Sequence, residues 1–364
     1  MPRKKSKNSV YALILAGGTG TRLWPRSRKN QPKQLLPLIS SRTMLQETVD
    51  RILPIIPADH IFIATNASYA AMVRKQLPNL PRQNIIGEIE GRGTAPSIGL
   101  GGLFIQNQDS DAVMLSLHAD HFIAQPADFR RALLNAAQIA REGHLVTLGI
   151  QPSHPETGYG YIQRGELVKE IGDQKVYRVA QFMEKPNAET AQRFVDSGEY
   201  YWNSGIFAWK LSTLWEEFQA YQPTLFEQLQ QIGGALGTRR EKSTVARVWS
   251  KIKNETIDVG IMEKSKRVVT LPIDVGWNDV GSWATLLDLL PRDANKNVVA
   301  GEHFGVDTTS SLIYAQNRLI ATVGLQDILI VDSDDALLVC TKDRAQDVKH
   351  IVDLLKKEKK EKYL

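Results

Sequence analysis

The sequence predicts an α/β protein. A domain built on a mostly parallel, mixed sheet layered with helices precedes a small C-terminal β unit and a terminal helix. Three observations carry this expectation. From Val10 to about Glu142, apolar runs of strand length alternate with helical patterns. Those runs are apolar throughout rather than at every second residue, as in strands covered on both faces. After Asn295 the texture changes to short β-branched or Leu-rich pieces divided by Asn, Asp, Ser and Gly turns.

In chain order, the expected strands are Val10–Ala16, Ile61–Thr65, Ala112–Leu117 and Leu145–Ile150. Between them a helix opens at Thr43, where Gln46 three residues later completes a capping box. Further helices are expected over Tyr69–Leu77, Ala95–Asn107 and Asp128–Glu142. Strand followed by helix, repeated, implies right-handed crossovers. The middle of the chain, Gln151 to about Pro291, mixes short strands and helices with Trp202, Trp209, Trp277 and Trp283. Leu312–Tyr314, Leu319–Ala321, Ile328–Val331 and Leu337–Val339 predict the small β unit. Val348, Ile351, Val352 and Leu355 give a final helix, Asp343 to about Lys359, one apolar face. The expected division is a disordered basic leader over 1–9, a main domain over 10–291 and a β-rich domain over 292–364.

Length and composition agree. At ~150 residues per domain, a chain of 364 residues suggests two domains, or one large and one small, and 42% hydrophobic residues suffice for a core. The one cysteine, Cys340, excludes an intrachain disulfide and a Cys-rich metal framework, and reads as a buried structural thiol. No apolar run approaches the ~20 residues of a membrane span, and no secretory signal follows the basic start. A reducing cytoplasm is the expected compartment. The pI near 9.1 suggests a nucleic-acid partner only until the charge is located. Arg3, Lys4, Lys5 and Lys7 hold four of the net +5, and Lys356–Lys362 contributes a net three more, leaving −2 for the body. The basicity sits in the tails, so no nucleic acid is expected as a partner.

Ligands of open α/β sheets bind beyond the carboxyl ends of the strands. Three polar clusters fall there: Gly17–Lys33, Glu88–Pro96 and His118–His121. In the first, a strand runs into Gly17-Gly18-Thr19-Gly20-Thr21-Arg22. Glycines permit positive φ and close backbone approach, so successive N–H groups can form an anion nest. The loop lacks the Gly-Lys-Ser/Thr ending of a P-loop and the spacing of a dinucleotide fingerprint. Its continuation, Trp24-Pro25-Arg26-Ser27-Arg28-Lys29-Asn30-Gln31-Pro32-Lys33, sets two cations, Arg22 and Lys33, beside the glycines. Two cations at an anion nest suit a nucleoside triphosphate.

This loop resembles the signature of the sugar-1-phosphate nucleotidyltransferases, specifically the mannose-1-phosphate guanylyltransferase (GDP-mannose pyrophosphorylase) family. So do Gly91-Arg92-Gly93-Thr94-Ala95-Pro96, Ala119-Asp120-His121, and Pro155-Glu156-Thr157-Gly158-Tyr159-Gly160-Tyr161-Ile162. Glu184-Lys185-Pro186, Trp202-Asn203-Ser204-Gly205-Ile206-Phe207, Gly260-Ile261-Met262-Glu263-Lys264 and Gly276-Trp277-Asn278-Asp279-Val280-Gly281-Ser282-Trp283 complete the set, in the family's order. The resemblance implies a Rossmann-like nucleotidyltransferase domain, a short left-handed β-helix and a homodimer. It also implies attack of a sugar phosphate on the α-phosphorus of GTP, with mannose 1-phosphate as the sugar phosphate and Mg²⁺, replaceable by Mn²⁺, as cofactor. Arg22 and Lys33 would be catalytic, and Asp120 and Asp279 would hold the metal. Ala16, Gly17, Gly18, Thr19, Gly20, Thr94 and Pro96 would bind the nucleotide. Gly158, Glu184, Lys185 and Asn203 would bind the sugar phosphate.

The sequence departs from the family's pattern at His118 for a common proline, Gly93 for a frequent asparagine and Val259 for a usual tyrosine. The last bears on sugar selectivity. Rival expectations are a different base or sugar, or a non-catalytic sensor, which would be expected to lose Arg22, Lys33 or an aspartate. A bifunctional isomerase-transferase is disfavoured, because the roughly eighty residues after Trp283 are too few for a second enzyme domain.

Overall fold

Segments that are apolar at every position need cover on both faces, and the structure, a computed structural model, sets them at the centre of a nine-stranded sheet. It describes residues 9–364, so the expected leader lies, apart from Ser9, outside the described residues. The chain divides into two units. One comprises the chain up to Gly17 with Val49–His118 and Ile123–Trp277; the other comprises Gly18–Thr48, Ala119–Phe122 and Asn278–Leu364. Helix α1 (Met44–Ile52) carries the chain from the second unit into the first.

In the first unit the strands are β1 (Val10–Ala16), β2 (Ile61–Asn66), β3 (Ile85–Glu88), β4 (Val113–His118), β5 (Leu145–Ile150), β6 (Tyr161–Ile171), β7 (Gln174–Met183), β8 (Tyr200–Lys210) and β9 (Val268–Ile273). They lie in the order β3-β2-β1-β4-β8-β5-β9-β7-β6. The run from β3 to β4 is parallel, as is β5 on β9, while β8 inserts antiparallel between β4 and β5. Helices α2 (Ala70–Gln76), α3 (Thr94–Gln108) and α4 (Pro126–Ala140) follow β2, β3 and β4, as strand–helix alternation requires. Ile14, Ile63, Val113 and Leu145 are fully buried. The first strand has the expected limits, and β4 begins one residue late.

Sequence reading did not resolve the long hairpin of β6 and β7. Its signal is present: Gly172-Asp173 separates the strands, and Gly172 has φ 61°, as a tight hairpin turn demands. The strands are polar and half-exposed, so periodicity alone is weak there. Helices α5 (Ala188–Ser197), α6 (Leu211–Tyr221), α7 (Pro223–Gly233) and α8 (Glu241–Trp249) complete this unit. Trp209, Phe218, Leu229 and Trp249 are nearly wholly enclosed in its core.

In the second unit, the capping box forms as expected. The Gln46 side chain accepts from the Thr43 N–H at 3.0 Å, and Thr43 Oγ1 accepts from the Gln46 N–H at 3.3 Å. Helix α9 (Trp283–Leu289) leads to β10 (Val298–Ala300), β11 (His303–Val306), β12 (Leu312–Tyr314), β13 (Ile320–Val323), β14 (Ile328–Asp332) and β15 (Leu337–Thr341). β10, β12 and β14 stack in parallel, β11 stacks on β13, and β15 closes antiparallel on β14. Parallel stacking of short strands at near-constant spacing is the layout of a β-helix.

Helix α10 (Val348–Lys357) ends the unit, with Val348 and Val352 buried and Leu355 partly so. Two expectations need correction. Ile351 is 40% exposed, because a helix resting on one side of a core buries a narrower stripe than its four apolar residues offer. Cys340 is half-buried rather than buried, since β15 is an edge strand; the partial burial still pushes its thiol up.

Candidate active site

The expected site residues divide between the units. In the second, Gly18 and Thr19 are exposed and Gly20 adopts the left-handed conformation, φ 69° and ψ 42°. A Cβ on Gly20 would lie 2.4 Å from Lys33 Cβ, so glycine is what lets the lysine stem pass. By contrast, a Cβ at Gly17 or Gly18 would meet nothing within 4 Å, so protein packing does not demand glycine there. Arg22 is exposed on the single helical turn Thr21–Leu23.

Lys33 is only 6% exposed. Its ammonium donates to Asp120 Oδ2 at 2.8 Å and to the Asp279 main-chain oxygen at 2.6 Å. A buried ammonium must be compensated in this way. The sequence-predicted Lys33, Asp120 and Asp279 therefore meet at one point, although 246 residues separate the lysine from the second aspartate.

The loop between Gly20 and Lys33 is tied down along its length. Trp283 Nε1 donates to the Trp24 carbonyl and Trp24 Nε1 to the Tyr363 carbonyl, both at 2.8 Å. Arg28 grips both carboxylate oxygens of Asp335 at 2.6 and 3.0 Å, which holds that carboxyl below the usual carboxylate range. The Lys29 N–H reaches the Leu364 carbonyl at 3.2 Å. A cavity of about 410 Å³ opens beside this loop, lined by Thr19, Thr21, Trp24, Ser27, Val352 and Lys356 among others.

Asp279 sits in a constrained turn. The Val280 N–H donates to Asn278 Oδ1 at 2.7 Å, and Val280 itself has φ 51° with a fully buried side chain. A Cβ on Gly281 would come within 3.2 and 3.3 Å of the Asp279 carboxylate oxygens.

In the first unit, Ala16 ends β1 buried, and Gly17 is exposed beyond it. Thr94 and Pro96 open α3, where the missing proline N–H costs no helical bond. Gly93 has φ 85°, and a Cβ there would strike the Glu255 carbonyl at 2.2 Å. The close approach is a backbone pairing: Glu255 N–H to Arg92 at 3.0 Å, Ala95 N–H to Glu255 at 3.1 Å, and Ile257 N–H to Thr94 Oγ1 at 2.9 Å. The pattern of an asparagine at this position gives way to a glycine that the geometry requires. Glu88, at the end of β3, is buried and bonded to Ser97, and burial pushes its carboxyl up to about 7.

Asn203 is the hub of the expected sugar residues. Its Nδ2 donates to Asp258 Oδ1 at 2.7 Å, its Oδ1 accepts from Thr147 Oγ1 at 3.3 Å, and its N–H reaches the Gly160 carbonyl at 2.8 Å. A Cβ on Gly160 would lie 2.5 Å from Glu184 Oε2, so Glu184 and Asn203 flank one glycine. Burial, and then the negative charge of Glu184, push the Asp258 carboxyl up; the same two causes raise Glu263. Lys185 is exposed at φ 48°, with its ammonium on Glu184. Gly158 is exposed, its N–H on Glu156 Oε1 at 2.8 Å.

Glu88, Glu263 and Val280 lie in segments that the sequence reading quoted, but neither they nor Asp258 were given a role there. Glu88 and Asp258 stand beside residues it did use, but nothing local marks a carboxylate for burial.

A nest-like glycine loop, a buried lysine joining two aspartates, and a polar cluster on a mixed, largely parallel sheet define the class. The chain belongs to the nucleotidyl transferase family, whose profile matches residues 11–296. Residues 301–355 match the mannoseP isomerase/GMP-like β-helix domain. The particular relatives are mannose-1-phosphate guanylyltransferases. That of Escherichia coli (strain K12) is 40% identical over 96% of this chain and 74% of its own length. The mannose-1-phosphate guanylyltransferase RfbM of Salmonella typhimurium is 38% identical over 98% of this chain and 74% of its own. A crystal structure from Thermus thermophilus, described as a mannose-1-phosphate geranyltransferase, superposes with a TM-score of 0.86 at 34% identity. The match covers 95% of this chain and 99% of that one.

Proposed function

We propose that this chain transfers GMP from GTP to mannose 1-phosphate, giving GDP-mannose and pyrophosphate. The observation that carries the reading is the meeting of Lys33, Asp120 and Asp279 below the left-handed Gly20, in a chain whose relatives bear that activity's name. A phosphate oxygen of mannose 1-phosphate attacks the α-phosphorus of GTP. The new P–O bond forms as the bond to the β-phosphate oxygen breaks in line, and pyrophosphate departs with the electron pair. Little covalent work falls to the protein, so positioning and charge carry the catalysis.

Arg22 and Lys33 hold the triphosphate and offset the charge that builds on its oxygens. Gly17, Gly18, Thr19 and Gly20 present main-chain N–H groups to it; Ala16, Thr94 and Pro96 frame the nucleoside. Asn203 and Glu184 bind sugar hydroxyls, Gly158 lets the sugar approach the backbone, and Lys185 meets the sugar phosphate. The two aspartates offer hard carboxylate oxygens, which suit Mg²⁺, or Mn²⁺ in its place, and the His121 ring stands within 4.8 Å of the Asp120 carboxylate. Asp120 and Asp279 would hold the ion, which supplies charge neutralisation at the phosphates. The enzyme works as a cytoplasmic homodimer in this reading, and no described helix is long and apolar enough to cross a membrane.

The test is kcat/KM, with Mg²⁺ present, for the four pairings of GTP or UTP with mannose or glucose 1-phosphate. GTP should win strongly, since base-edge groups left unpaired are costly. The preference for mannose over glucose should be weaker, because the two differ at one hydroxyl. A preference for UTP with glucose 1-phosphate would overturn the named activity. Tight nucleotide binding without turnover would favour a sensor.

A further inference from the structure

The turn Asn278-Asp279-Val280-Gly281 contains an oddity that a metal-holding role for Asp279 does not itself explain. Val280 lies at φ 51°, a region that non-glycine residues enter rarely and β-branched ones least of all. Asparagine, aspartate or glycine would occupy it at less cost. Strain of this kind persists only where the surroundings over-determine the backbone. Here they do so in three ways. The Val280 N–H is held by Asn278 Oδ1 at 2.7 Å. The carbonyl of Asp279 is held by the buried Lys33 ammonium at 2.6 Å. The isopropyl group of Val280 is fully buried in the core that contains Leu23, Trp24 and Trp283.

We infer that Val280 is a positioning residue: its buried side chain locks the turn so that Asp279 is held at the point where Lys33 and Asp120 meet. A glycine would accept the same φ without strain but would have nothing to anchor. The valine instead couples the place of Asp279 to the apolar core, and an off-target backbone angle is what that coupling costs. The inference rests on the reading of Asp279 as a metal ligand, and its test separates the two.

Val280→Gly and Val280→Ala are compared with Val331→Ala, a fully buried valine of the same core away from the turn. Mn²⁺ affinity is read by electron paramagnetic resonance without turnover, alongside kcat, the KM for mannose 1-phosphate and the melting temperature. Val280→Gly should weaken Mn²⁺ binding and lower kcat, each by about tenfold or more, with the sugar-phosphate KM within about twofold of wild type; a tenfold change corresponds to ~1.4 kcal/mol. Val280→Ala should show a smaller change in the same direction, and it carries the test if the glycine variant does not fold. Val331→Ala should lose stability while keeping Mn²⁺ affinity and kcat. Asp279→Asn should lose Mn²⁺ affinity outright. If it does not, the metal reading of Asp279 fails. If it does, while folded Val280→Ala and Val280→Gly bind Mn²⁺ and turn over as wild type, the positioning role of Val280 is overturned. Equal losses in Val331→Ala would likewise reduce Val280 to a core residue.

Discussion

Lys33 and Arg22 are proposed for the same task from opposite environments, one buried against two aspartates and the other exposed on the loop. Replacing either with alanine should lower kcat by roughly 10²–10³, the usual scale for losing one donor to a transition-state oxyanion. Steady-state kinetics in GTP check this. A rise in the KM for GTP alone would mean that the side chain binds the ground state and no more. At Glu88 the prediction concerns stability. Its carboxyl ordinarily titrates near 4.5 and burial raises it to about 7, so the folded state binds the proton more tightly than the unfolded state. The resulting stabilisation is whole below about pH 4.5 and is lost as the pH climbs to about 7, a change on the order of 3 kcal/mol. Glu88→Gln abolishes that titration. Urea unfolding at pH 5 and pH 8 should therefore show the variant gaining on wild type as pH rises; a gap independent of pH would refute the assignment.

Among elements, the parallel pair β11 and β13 stands out for what it leaves uncovered. Phe304, Val306 and Val323 are 68%, 59% and 73% exposed, and Val306 and Val323 are register partners. Contiguous apolar surface of this kind is unusual on a monomer, which supports the proposed homodimer. Phe304→Glu or Val323→Glu should weaken self-association by about tenfold or more, ~1.4 kcal/mol, as sedimentation over a dilution series would measure. An unchanged oligomer would move the interface elsewhere. The same scale explains what was legible beforehand. β1, β5 and the Thr43–Gln46 cap could be read because their signals are local: an unbroken apolar run, or two side chains three residues apart. The β6–β7 hairpin was hidden because polar residues interrupt both of its faces and break the alternation. The apolar stripe of α10 was read too wide because the sequence records which residues could be buried, and only packing decides which are.

For the whole molecule, legibility fell off with separation along the chain. The motifs named Lys33, Asp120 and Asp279, yet no spacing in the sequence tells that one ammonium bonds to both aspartates. Nor does it tell that Trp24 would rest between Trp283 and Tyr363. The chain enters the second unit at Gly18 and returns to it twice, at Ala119 and Asn278. Such returns leave no mark on local composition.

That threading has a consequence for how the protein comes into being. A ribosome delivers Gly18–Thr48 first, but the apolar partners of Leu23, Trp24 and Leu36 in their core include Leu312, Leu329, Val348 and Val352. At about 5–20 residues per second, the signature loop waits roughly 15–60 s for the more than three hundred residues that complete its surroundings. Through that interval the strands of β1 to β4 can already pair, while the loop cannot adopt its final bonds to Tyr363 and Leu364. The nascent chain is thus able to pair its first strands early, while the surroundings of its signature loop are complete only once Leu364 has been made.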